Sequence, residues 1–70
     1  MTIEHFGKLL DGNNGIQITK NLVIFRKNFE LYNDVTEESK CYDSLRALID
    51  DNPDVKKIIE DAEAFYLDWD

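Results

Sequence analysis

Between Ile16 and Tyr32 the chain leaves helical spacing for a run of β-branched and aromatic residues, and this switch constrains the fold more than any other feature. Ile16, Ile18, Thr19, Leu22, Val23, Ile24, Phe25, Phe29, Leu31 and Tyr32 crowd into one segment. Such residues lose rotamer freedom in a helix and pack well on a pleated surface. Helix-like patterns flank the run on both sides, so an α+β fold is expected.

The first flank reads as a helix near residues 3–10. Ile3, Phe6 and Leu10 recur at helical spacing, Glu4 and Lys8 form an i,i+4 pair, and Thr2 stands where a cap belongs. Gly12, within Asp11-Gly12-Asn13-Asn14-Gly15, is expected to stop it in a left-handed conformation. Within the β-rich run, Lys20-Asn21 reads as a tight hairpin between a strand at 16–19 and a longer one starting at Leu22. Lys27 breaks the alternation of Val23, Phe25, Phe29 and Leu31, which requires either a bulge or a second turn near Lys27-Asn28.

Past a polar stretch at 33–38, Lys40-Cys41-Tyr42 reads as a short returning strand, and Asp43 or Ser44 as the cap of a helix carrying Leu45, Leu48 and Ile49. A competing reading starts that helix at Asp34, with Asp34 and Glu37 as a capping box, but Tyr42-Asp43-Ser44-Leu45 places a cap directly ahead of the apolar face. The later start is preferred. Asp51-Asn52-Pro53-Asp54 is the sharpest punctuation, since proline suits a first helical position and Asn52 the cap before it. A last helix is expected from Pro53 to about Asp68, burying Val55, Ile58, Ile59, Ala62, Phe65, Tyr66 and Trp69. The expected whole is one small domain, residues 1–70. It has an N-terminal helix, an antiparallel sheet of about three strands and two C-terminal helices packed on one face.

Size and charge then narrow the function. A chain of 70 residues buries only about 60% of its unfolded surface, so its core contributes little spare stability and dimerisation is plausible. Its 43% hydrophobic content still separates it from disordered acidic tails. The net charge of −7 is unevenly placed. Residues 1–33 hold four basic residues against three acids, and residues 34–70 hold four against twelve. Direct binding to a phosphate backbone is therefore disfavoured. Met1-Thr2-Ile3-Glu4-His5-Phe6-Gly7-Lys8 lacks a basic leader followed by an apolar stretch, and no long apolar run exists, so no signal peptide or membrane span is expected. A lone Cys41 makes no internal disulfide and suits a reducing cytoplasm.

Chemistry-bearing patterns are sparse. Cys41 and His5 fall on separate elements without a nucleophile elbow; Cys41 is expected to be partly buried in a strand and His5 exposed. The loop at 11–15 fails as a calcium loop, because Gly15, Ile16 and Leu22 stand where its ligands and central glycine belong. No enzyme activity, metal or cofactor is expected.

The acids are the leading candidate site. Asp54, Asp61 and Asp68 are spaced by sevens along the expected last helix, about 10 Å apart. Glu60 and Glu63 take the other flank, and Asp50 and Asp51 precede them. Tyr66, Leu67 and Trp69 are candidate apolar anchors among these charges. The same acids also suit an ordinary solvated face, with Lys57 in reach of Asp54, Glu60 and Asp61.

Phe29-Glu30-Leu31-Tyr32-Asn33-Asp34, an acidic turn and then Lys40-Cys41-Tyr42-Asp43-Ser44-Leu45 resemble a pattern in small bacteriophage and prophage proteins. With its acidic second half the chain is similar to small phage-encoded inhibitors of host defence, a class that includes anti-CRISPR proteins and DNA mimics. The resemblance implies a cytoplasmic inhibitor, acting in a bacterial host, that occupies the nucleic-acid or substrate surface of a basic protein such as a CRISPR effector or nuclease. The alternative expectation is a small accessory subunit of phage origin, monomeric or homodimeric.

Overall fold

A computed structural model describes residues 1–65. Helix α1 spans Ile3–Asp11; strands β1 (Gly15–Gln17), β2 (Leu22–Phe25), β3 (Glu30–Asn33) and β4 (Glu38–Lys40) follow, then helices α2 (Leu45–Asp51) and α3 (Pro53–Asp61). The strands form one antiparallel meander in the order β1-β2-β3-β4. The fold is thus α+β as expected, with four strands where about three were anticipated.

Register sorts the side chains between two faces. Ile16 pairs with Ile24, Ile24 with Leu31 and Leu31 with Lys40, so these four share one face. Onto it pack Phe6 and Leu10 of α1, Leu48 and Ile49 of α2, and Val55 and Ile59 of α3, completing a single core. The other face carries Val23, Phe25 and Tyr32. Val23 is buried although it lies outside that core, and the Phe25 and Tyr32 rings pair at 6.5 Å.

Local chemistry explains most boundaries. The Thr2 hydroxyl accepts from the His5 N–H and the Ser44 hydroxyl from the Ala47 N–H, both at 3.0 Å, fixing the starts of α1 and α2. The Thr19 hydroxyl accepts from the Asn21 and Leu22 N–H groups, which makes the first hairpin loop longer than a bare Lys20-Asn21 turn. A second turn interrupts the sheet at Lys27–Phe29, where Asn28 (φ 61°) and Phe29 (φ 44°) are left-handed, resolving the broken alternation in favour of a turn over a bulge. The preferred start of α2 holds, since β4 occupies the segment that a helix from Asp34 would need.

Four expectations need correction. Gly12 is right-handed (φ −91°), and the Asn13 side chain takes up a terminal carbonyl instead, donating to Leu9 O at 2.7 Å. The returning strand lies at Glu38–Lys40, not 40–42. Its register is set by Asn33↔Glu38, while the Tyr42 N–H leaves the ladder to reach Asn28 O. Cys41, just beyond that strand, is consequently exposed. Helix α3 ends at Asp61, with Ala62 extended (φ −81°, ψ 143°). Its last turn holds no basic residue while Glu60, Asp61 and Glu63 oppose the helix dipole. The Met1 nitrogen takes up the Glu60 and Ala62 carbonyls at 3.0 and 2.7 Å, and Phe65 turns back to meet Phe6 edge-on at 5.5 Å.

Candidate binding surface

The early end of α3 dismantles the expected ladder of acids. Asp54 and Asp61 keep one flank of α3, separated by seven residues, about 10 Å, but Lys57 sits between them on that flank. Glu60 lies on the helix and Glu63 beyond it. Tyr66, Leu67, Asp68 and Trp69 lie outside the described residues. The acids therefore form two groups at opposite ends of α3: Asp50, Asp51 and Asp54 at the corner with α2, and Glu60, Asp61 and Glu63 at the far end. All six are exposed. Between Asp50 and Glu63, six acids face Lys56 and Lys57, leaving a local charge of −4.

Asp51 differs from the rest because its charge is already compensated. Its Oδ2 accepts from Lys40 Nζ at 2.9 Å and from the Tyr42 hydroxyl at 2.7 Å. The Tyr42 oxygen in turn accepts from Asn52 Nδ2 at 3.0 Å, and that amide also donates to Leu48 O at 2.8 Å. Lys40 Nζ stands 5.4 Å from the Tyr42 ring centre. This chain of contacts ties β4 to the α2–α3 corner. Asn52 thus holds the position of the α3 cap, as expected, but spends its side chain on the network and makes no capping bond.

These contacts hold the Asp51 carboxyl below the usual aspartate range, chiefly through the hydrogen bond from Lys40 and then that from Tyr42. They hold Lys40 above the usual lysine range, chiefly through the same bond to Asp51. A lowered acid contributes its stabilisation above the ordinary carboxylate range and loses it as pH falls through the folded-state value. A raised base contributes below the ordinary lysine range and loses it as pH rises through its own folded-state value. The pair is intact at neutral pH, but both side chains are more than half exposed, so its contribution is small. In an NMR titration the Asp51 carboxyl should protonate below the usual aspartate range, and Lys40→Met should raise its midpoint. An unchanged midpoint in that variant would contradict the network.

A groove of about 540 Å³ opens beside the network, between the β3–β4 hairpin and the α2–α3 corner. Leu22, Leu31 and Val55 line it together with Glu38, Lys40, Tyr42, Asp51, Asn52 and Asp54. Sequence reasoning had singled out only Asp51 and Asp54 of these. Glu38, Lys40, Tyr42 and Asn52 were missed as site residues because they meet only through sheet register and the helix corner. Their local signals, a polar strand and a cap, pointed to structure.

His5 and Cys41 are both exposed, on α1 and beyond β4 respectively. Among the described residues no group of three or more His, Cys, Asp or Glu side chains could hold a metal ion, and no helix is long and apolar enough to cross a membrane. The fold and groove define a small α+β domain with a four-stranded meander covered on one face by three helices. Compared with protein families, curated proteins and solved structures, the chain matches none.

Proposed function

We propose that this chain is a non-enzymatic binding protein that presents the acidic α2–α3 surface to a basic, nucleic-acid-handling protein of a bacterial host and inhibits it by occupying its nucleic-acid surface. One observation carries the reading. Asp50, Asp54, Glu60, Asp61 and Glu63 are exposed, and none has a hydrogen-bonding or ion-pair partner for its side chain among the described residues. Unpaired charges of one sign raise the local potential, speed encounter with an opposite surface and select against acidic partners. Maintaining them costs stability through self-repulsion, a cost that binding would offset. The resemblance of residues 29–45 to small phage-encoded inhibitors, a class that includes DNA mimics, agrees with it.

The test is affinity capture from a bacterial lysate at low and high salt. A basic nucleic-acid-handling protein should be retained at low salt and released near 1 M, where the Debye length falls to about 3 Å. Retention of an acidic protein, or retention indifferent to salt, would overturn the reading.

A second reading, self-association as a small accessory subunit, is favoured by the sheet face that no helix covers among the described residues. That face carries Val23 and Tyr32, paired across β2 and β3. Sedimentation separates the two readings, because a stable dimer of the purified chain is required only by the second.

A further inference from the structure

We propose that the groove between the β3–β4 hairpin and the α2–α3 corner receives a long basic side chain, arginine or lysine, carried on an extended segment of the protein partner. The inference rests on the acidic-surface reading and names the contact at which that surface is specific. Its first support is the arrangement of the lining. Leu22, Leu31 and Val55 give the groove an apolar floor, and the carboxylates of Glu38 and Asp54 stand at its rim with no partner among the described residues. Arginine and lysine match both parts, since the methylene stem covers apolar surface while the charged head meets carboxylates.

Alternative occupants fit less well. A purely apolar side chain would desolvate Glu38 and Asp54 without replacing their water contacts, at a cost in affinity. An anion would find Lys40 already engaged by Asp51 at 2.9 Å and two free carboxylates beside it. The second support is position. β4 is the last strand of the sheet and borders the groove, so the backbone of an extended segment has a strand edge to follow while its basic side chain turns inward.

The test uses the full chain and a short peptide with one central arginine, followed by backbone NMR. Amide shifts should concentrate at Leu31, Glu38–Lys40 and Asp51–Val55. An analogue carrying 2-amino-3-guanidinopropionic acid keeps the guanidinium charge but loses two methylenes of the stem, and should bind about tenfold more weakly at roughly 0.8 kcal/mol per buried methylene. Glu38→Gln with Asp54→Asn should abolish the shifts, while Glu60→Gln with Asp61→Asn should leave them. Shifts centred on Glu60–Glu63, equal binding of the short analogue, or full binding by the Glu38/Asp54 variant would each overturn the assignment. Salt-sensitive capture of a basic partner that survives the Glu38/Asp54 substitutions sinks the groove and spares the acidic surface. Arginine binding in the groove without any salt-sensitive partner sinks the surface reading instead.

Discussion

Replacing Phe6 by alanine should leave the chain largely unfolded at 25 °C. Phe6 is fully buried and belongs to the core in which α1, α2 and α3 meet Ile16 and Ile24 of the sheet. Its ring also receives Phe65 edge-on. Truncating a buried phenylalanine costs about 3–5 kcal/mol. A core of this size rarely supplies more than about 3–5 kcal/mol in total, so the loss is comparable with the whole stability. Thermal unfolding followed by circular dichroism should show no cooperative transition for Phe6→Ala. Phe65→Ala, at a half-buried position, removes the ring pair at about 1 kcal/mol and should only lower the midpoint. A cooperative Phe6→Ala transition within a few degrees of the parent would mean that the three helices do not share one core.

Substituting Asp50, Asp54 and Asp61 by Asn, with Glu60 and Glu63 by Gln, should have the largest effect on binding. The five changes take the net charge from −7 to −2 and touch no side-chain hydrogen bond or ion pair among the described residues. The core is untouched, because none of the five is buried. Asp51 is left in place because Lys40 and Tyr42 depend on it. Folding should therefore be preserved, since relief of repulsion around the α3 C-terminus offsets the loss of the Asp54 charge from its first turn. Affinity for the partner should fall at least about a hundredfold, an amount readily carried by several charge contacts of about 1 kcal/mol each.

How far the sequence alone reached is clearest at particular elements. Thr2, Ser44 and Pro53 marked helix starts correctly because each acts through its own hydroxyl or ring, within a few residues. Leu48, Val55 and Ile59 were legible as core for the same reason: helical periodicity is local. β4 was misplaced because Glu38-Ser39-Lys40 has no strand-forming residue. An edge strand tolerates, and benefits from, such charge, and only its register with β3 reveals it. The end of α3 was overrun because its apolar spacing continues through Ala62 and Phe65, while a non-local contact, Phe65 against Phe6, takes the chain elsewhere. The candidate site divides in the same way. The acids and their asymmetry were visible as composition, but the Lys40–Asp51–Tyr42–Asn52 network and its groove depend on strand order and a helix corner that no local pattern encodes.

The central claim is that unpaired surface charge, not a catalytic centre, does this protein's work. It is tested most directly by calorimetric titration of the captured partner with the parent chain and with the five-substitution variant, at about 0.1 M and about 0.5 M salt. The account predicts binding by the parent that weakens steeply with salt, and no measurable binding by the folded variant at either concentration. Equal affinity of parent and variant, or affinity unmoved by salt, would contradict it.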